Sequence, residues 1–499
     1  FELTRVQFPR LTCDGELTMK SIISLVLAGV LASSLVCADN FTETNVTKAN
    51  AVIDAAIEAH GPDGTLADLR TLIVEFDRVV YSFGQSRGTE PPWDKSESRG
   101  VSAIDIEQSV FATHGTNSGG GFETHNGTII GAEKSYQLDY RAGTAAEIAE
   151  PDFDTTSGPF VRVSPPLLVK ILDERRANAY YLGEVRVDGK DYDVIGFSMT
   201  VGPAISLYFD KESHLLHRSE RIFASVGLVE YEFLDYEMIN GIAVNRTFNL
   251  YVEGDANVEQ SNVVARVNEP LADLLKVDAR LQKVPEIQPD PLSRREIAEG
   301  VWLIGGNGTY AMFVDMGSYV FAAGGIAGLP ERIDSLREVV GDKPLRYGML
   351  THHHFDHVVG VSTYEAEGAV LIAAAAHEKV VREAAGDGEA LELQTVKDRM
   401  TLEGETRSIE IIDIGPTAHT EHLLVAYLPE EGILFEADHF AMPRQGPIPP
   451  AVSATRTFAE ALGREELNVK LILSAHSPRA GTMDDLRTAL AREVFQASR

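Results

Sequence analysis

The sequence predicts an α+β, multidomain chain in which an antiparallel β domain precedes a layered α/β domain. Three observations predict it. Over residues 71–267 short alternating apolar runs are separated by turn signals. A Pro-rich stretch at residues 283–292, KVPEIQPDPL, then interrupts that texture. Beyond it, strand-like and helix-like segments alternate to the end of the chain. A length of 499 residues allows two or three domains. The 75 acidic against 44 basic residues give a net charge of −31, which repels phosphate backbones and anionic lipid surfaces and argues against nucleic-acid partners.

Residues 1–18 begin with Phe1 and carry no usable pattern, so they read as a non-native extension ahead of Met19. Met19 and Lys20 open a positive n-region, residues 22–35 form an apolar run too short to span a bilayer comfortably, and Val36-Cys37-Ala38 follows. Residues 19–38 therefore read as a secretory signal peptide cleaved after Ala38. A bacterial periplasmic or secreted location is expected, with no stable membrane span after cleavage. Cys13 and Cys37 are the only cysteines and both precede the cleavage point, so the mature chain is expected to have no disulfide, thiolate ligand or cysteine nucleophile.

The N-terminal domain is expected over residues 39–282. Ala49, Val52, Ile53, Ala56 and Ile57 recur at helical spacing until Gly61-Pro62-Asp63-Gly64 breaks the pattern. Alternating runs such as 71–76, 204–209, 228–233 and 247–252 follow, with Asp188-Gly189 and Asn240-Gly241 among the turns. Eight or more antiparallel strands are expected. Residues 115–128, rich in Asn, Ser and Gly, read as a loop, and His60, His114, His125, His214 and His217 as scattered structural or exposed side chains. The helix, the long meander and the segments LYFDKESHLLHRSE and YEFLDYEMINGIAV resemble the β half-barrel related to periplasmic lipoprotein carriers. A β-sandwich fits the same pattern.

Residues 283–292 are expected to link this part to a second domain over 293–499. Strands are predicted at 300–304 and 311–314, and a helix at 329–340, where Ile333, Leu336, Val339 and Val340 share one side. A strand at 345–350 runs directly into Thr351-His352-His353-His354-Phe355-Asp356-His357. Imidazoles packed together would repel on protonation, so such a cluster at a strand end points to a divalent-metal site. His352 and His354 suit one ion, Asp356 and His357 a second. Two ions about 3.5–4 Å apart can share a hydroxide that is nucleophilic at neutral pH. Further ligand candidates lie just beyond later strands: His419, Asp438 and His476.

HxHxDH, followed by a histidine, an aspartate and a histidine at strand ends, resembles the metallo-β-lactamase superfamily. The resemblance implies an αββα sandwich with its site at one edge of the two sheets. It implies that His352, His354 and His419 hold one metal, that Asp356, His357 and His476 hold the second, and that Asp438 bridges. Zinc is the metal it implies, as two divalent ions. His419 is favoured over the nearby His422. The early strand Val320-Phe321-Ala322-Ala323-Gly324 lacks the acidic residue common in the family, and Ser477 stands where glycine is common. His353 and His439 read as spacers or exposed side chains. Lys470, Arg444 and Arg479 are the candidates for binding a substrate carboxylate.

The expected function is a secreted metallo-hydrolase acting on a small molecule. A metal-bridged hydroxide, oriented by Asp356 as catalytic residue, would attack an ester, lactone, lactam, thioester or related centre. The alternative is a non-catalytic periplasmic protein that binds lipid or lipoprotein and keeps a structural or relict metal site.

Overall fold

The computed structural model describes residues 40–223, 226–286, 288–386 and 391–495. The proposed extension and signal peptide, with Cys13 and Cys37, lie outside them. No helix among the described residues is long and apolar enough to cross a membrane.

The first part is one continuous fourteen-stranded sheet. It is laid down as two meanders, joined where Thr71–Tyr81 pairs antiparallel with Asp255–Val267. One meander runs outward from Thr71–Tyr81 through Lys95–Asp105, Val110–Gly119, Phe122–Ile130, Ser135–Asp139 and Thr144–Ile148. The other runs from Asp255–Val267 back through Ile242–Val252 and Gly227–Ile239 to Tyr180–Val187 at the far edge. Of the two architectures the sequence left open, a sandwich of two separate sheets is not what forms.

Alternation decides which face is covered. In Gly227–Ile239, Val229, Tyr231 and Phe233 are buried while Glu230 and Glu232 between them are not. The buried face meets the helix Phe41–His60, whose Ala49, Ile53, Ala56 and His60 form one stripe. Asn40 caps that helix, accepting the Thr42 N–H at 3.2 Å. Two further helices that the alternation did not announce, Phe153–Arg162 and Pro165–Glu174, complete the cover with Phe160, Leu167, Leu168 and Leu172. Residues 115–128, expected as a loop, instead belong to a hairpin of Val110–Gly119 and Phe122–Ile130 closed by Gly120 and Gly121, both at positive φ. The expected linker also begins inside this sheet, since Gln282–Val284 pairs parallel with Thr144–Ile148.

From Ser293 onward two more sheets form. The seven-stranded one contains Ser293–Ala298, Val301–Gly306, Thr309–Asp315, Val320–Ala323, Leu345–Met349, Val370–Ala374 and Leu393–Val396. The six-stranded one contains Arg399–Glu403, Ser408–Asp413, Leu424–Leu428, Ile433–Glu436, Leu471–Ser474 and Gly481–Thr482. They face each other across a common core in which Phe313, Phe321 and Met349 meet Ile411, Leu424 and Phe435. Helix Leu329–Val340 covers the span its spacing predicts and buries Leu329, Ile333 and Leu336 on the first sheet, but Val339, expected on the same side, is exposed. Helices Ser453–Glu465 and Met483–Ala491 bury Phe458, Ala461 and Leu486 on the second. The layering is αββα, which explains why strands such as Val301–Gly306 are buried along their whole length.

Candidate metal centre

Strand Leu345–Met349 lies between two parallel neighbours and ends at the rim of the sandwich. The following residues are tied to both sheets: Leu350 N–H donates to Ile372 O at 2.9 Å, and Leu424 N–H donates to Thr351 O at 2.8 Å. Extended backbone then alternates the side chains, placing His352 and His354 on one side and His353 on the other. The short helix Phe355–Val358 reverses the chain, with the His357 N–H donating to His354 O at 2.9 Å. That turn brings Asp356 and His357 round beside the first pair.

Two groups result. His352, His354, His419 and Asp438 converge in one, and Asp356, His357 and His476 in the other, with the candidate ligand atoms of each group within 4.8 Å of one another. Asp438 joins them. Its Oδ2 lies 3.1 Å from both His352 Nε2 and His419 Nε2. Its Oδ1 lies 3.2 Å from His357 Nε2 and 2.8 Å from His476 Nε2. The two oxygens thus face different groups, one of the arrangements in which a carboxylate can bridge. His422 is not in either group; its Nδ1 meets Asp413 Oδ2 at 2.6 Å.

The donor chemistry fits divalent ions. His352 Nε2 and His354 Nδ1 are buried and have no hydrogen-bond partner among the described residues. Buried polar atoms are seldom left so, and a cation between them would satisfy both. Burial, then the neighbouring His354 and His357 rings, hold His352 well below the ordinary imidazole range. Burial and the His419 and His353 rings push His354 down to about 2. Burial opposes the charge on Asp438, but the imidazoles of His357, His352 and His419 outweigh it and keep the carboxyl well below its usual range. Burial likewise opposes charge on His476, yet its hydrogen bond to Asp438 raises it to about 9. The ionised carboxylate thus favours positive charge beside it, on His476 or on a cation between the unprotonated rings of His352 and His354.

The family model described as "Metallo-beta-lactamase superfamily" matches residues 301–476. The C-terminal domain belongs to that superfamily. Similar solved structures include the metallo-beta-lactamase FIM-1 from Pseudomonas aeruginosa in its mono-zinc form, at 21% identity over 40% of this chain and 93% of that one, TM-score 0.32. A metallo-beta-lactamase from Pontibacter korlensis is similar at 19% identity over 40% and 98%, TM-score 0.33. The flavodiiron protein from Giardia intestinalis is similar at 17% identity over 41% and 59%, TM-score 0.32. No curated protein matches the chain.

Around the candidate metal centre some sequence expectations give way. His353 and His439 are buried rather than exposed. His353 faces the His377 ring at 4.7 Å, and His439 Nε2 lies 2.9 Å from Thr417 Oγ1. Arg444 and Arg479, candidates for a substrate carboxylate, donate instead to the carbonyls of Gln288, Pro289 and Pro443.

The largest omission concerns the N-terminal domain, in which the sequence showed nothing catalytic. His354 Nε2 donates to Ser86 O at 2.9 Å, and His419 Nδ1 donates to Gly120 O at 2.8 Å. Phe122 packs edge-on against the His419 ring at 5.0 Å. Gln85 Nε2 donates to Asp356 Oδ1 at 2.7 Å. Among the described residues only His476 finds its carbonyl at home, donating from Nδ1 to Gly308 O at 3.2 Å. Backbone carbonyls leave no trace in composition. The run Gly119-Gly120-Gly121, whose last two residues suit a tight hairpin turn, was the one available signal.

Proposed function

We propose that the protein is a secreted hydrolase that uses two divalent ions, zinc first among candidates, to cleave a small ester, lactone, lactam, thioester or related substrate. The observation that carries this reading is Asp438, with one carboxylate oxygen toward each histidine group. His352, His354 and His419 would hold one ion, and Asp356, His357 and His476 the other. Ions there would supply Lewis acidity and lower the pKa of water. The chain's own part is to orient and to move protons. Asp356 has a half-exposed side chain at the open side of the second group, where its carboxylate can take a proton from an attacking water. The buried Thr351, His352, His354 and His357 close the opposite side to solvent.

Elemental analysis of the loaded protein, followed by a hydrolase panel, tests this. Two ions per chain and chelator-sensitive cleavage are expected. His354→Ala should reduce metal content and abolish cleavage; full activity in that variant would refute the ligand assignment.

One observation favours the second reading, an apolar-ligand carrier. A cavity of about 430 Å³ lies between the first sheet and its helices, walled in part by Phe76, Phe111, Phe160, Phe248 and Leu250. Acyl-chain binding that survives complete metal removal, with no cleavage of any panel substrate, would support it.

A further inference from the structure

Asp356 differs from the other members of the two groups in how it is fixed. Asp438 is 12% exposed and is held among four imidazole nitrogens. The side chain of Asp356 is 40% exposed, and among the described residues its carboxylate accepts one hydrogen bond, from Gln85 Nε2. That bond occupies Oδ1. The other oxygen, Oδ2, is the one that lies 3.5 Å from His357 Nε2 and 4.0 Å from His476 Nε2. A short carboxylate rotates freely about its last torsion unless something holds one oxygen, and here the holder comes from the other domain.

The loop carrying Gln85, residues 82–94, does not depend on that side chain for its shape. Inside the loop, Ser82 N–H donates to Asp94 O and Gln85 N–H to Ser82 O, both at 2.9 Å. Arg87 N–H donates to Asp94 Oδ2 at 2.7 Å. Toward the C-terminal domain, Phe355 N–H donates to Gly84 O at 3.1 Å and Glu421 N–H to Arg87 O at 3.0 Å. Arg87 Nε donates to Thr417 O, also at 3.1 Å. Backbone on either side of Gln85 is therefore anchored on the very segments that present Asp356 and His419, while the amide is left to a single task.

We propose that Gln85 is a positioning residue of the second metal group, its amide holding Asp356 Oδ1 so that Oδ2 is presented beside His357 and His476. The proposal rests on the reading that Asp356, His357 and His476 hold an ion. It makes occupancy of the second group depend on one side chain of the N-terminal domain, whereas that domain holds His354 and His419 of the first group through the backbone carbonyls of Ser86 and Gly120. A chain whose Asp356 turned freely would keep a one-ion centre.

The test uses the full chain, cobalt as the probe, and Gln85→Met, which keeps length and removes the donor. Glu90→Gln is the control, since Glu90 lies on the same loop but pairs with Lys379 at the surface. Cobalt titrations followed by visible absorption should show two ions in the unmodified chain and in Glu90→Gln. Gln85→Met should bind the first ion with unchanged affinity and spectrum and the second at least tenfold more weakly, with the metal-free melting temperature unchanged. Second-ion affinity within threefold of the unmodified chain would overturn the proposal. So would equal weakening of both ions together with a lower metal-free melting temperature, which marks a disturbed loop. An unmodified chain that takes fewer than two ions would instead overturn the two-metal reading, and this proposal with it.

Discussion

Glu436 has no exposed surface, and its carboxylate accepts the N–H groups of His439 at 2.8 Å and Phe440 at 3.2 Å. A buried carboxyl group is tolerated only where hydrogen-bond donors replace its hydration. Those donors belong to the turn that carries Asp438, and the turn is held from outside as well. Ser474 Oγ donates to Ala437 O, and Thr455 Oγ1 donates to His439 O at 2.6 Å. Removing the Glu436 carboxylate would leave two buried N–H groups unpaired, each costing about 1–3 kcal/mol. Glu436→Ala is therefore expected to lose about 2–6 kcal/mol of stability. Glu436→Gln, which keeps one acceptor oxygen, should lose less. Denaturant midpoints at constant slope check both, and equal losses in the two variants would show that volume rather than hydrogen bonding is what the side chain supplies.

The helix Phe41–His60 ends on a histidine that its own dipole would prefer charged. Burial wins instead and lowers His60 to about 4. The neutral ring is used at both nitrogens: Nδ1 donates to Ala56 O at 2.8 Å, and Nε2 accepts the Leu216 N–H at 3.4 Å. Because the folded value lies below the unfolded one, the unfolded chain binds more protons between them. Stability is complete above about pH 6.5 and falls as the pH drops toward 4, a loss of about 2 kcal/mol between pH 7 and pH 5. His60→Leu should be less stable at pH 7 and lose about 2 kcal/mol less than the unmodified protein over that interval; parallel losses would show that other groups set the acid limit. This helix was legible in the sequence because its apolar stripe repeats and Gly61 stops it. The hairpin over 110–130 was not, because only Val110, Phe111 and Ala112 of its first strand are buried, so no alternation marks the outer half. The helices at 153–174 were hidden by Pro159, Pro165 and Pro166, two of which only start a helix.

Across the whole molecule, legibility tracks sequence distance. The histidines of 352–357 announce themselves because one loop holds them, and His419, Asp438 and His476 because strands lead to each. Gln85, Ser86 and Gly120 lie 271, 268 and 299 residues from the partners they touch, and two of them act through backbone carbonyls. No local pattern encodes such contacts, yet they make the two domains share the candidate metal centre, and melting can detect that sharing. Two ions at a hundred times their dissociation constants add about 5 kcal/mol of stability. Confined to a C-terminal unit of about 200 residues, that raises its melting temperature by about 12 °C; spread over a cooperative unit of about 450 residues, by about 5 °C. The chain's two tryptophans report separately: Trp93 sits on the loop beside the site, against the Phe83 ring at 5.5 Å, and Trp302 is buried in the seven-stranded sheet. In Trp93→Phe and Trp302→Phe variants the remaining tryptophan should shift by the same few degrees on loading. A large shift at Trp302 with none at Trp93 would mean that His354–Ser86 and His419–Gly120 transmit no stability between the domains.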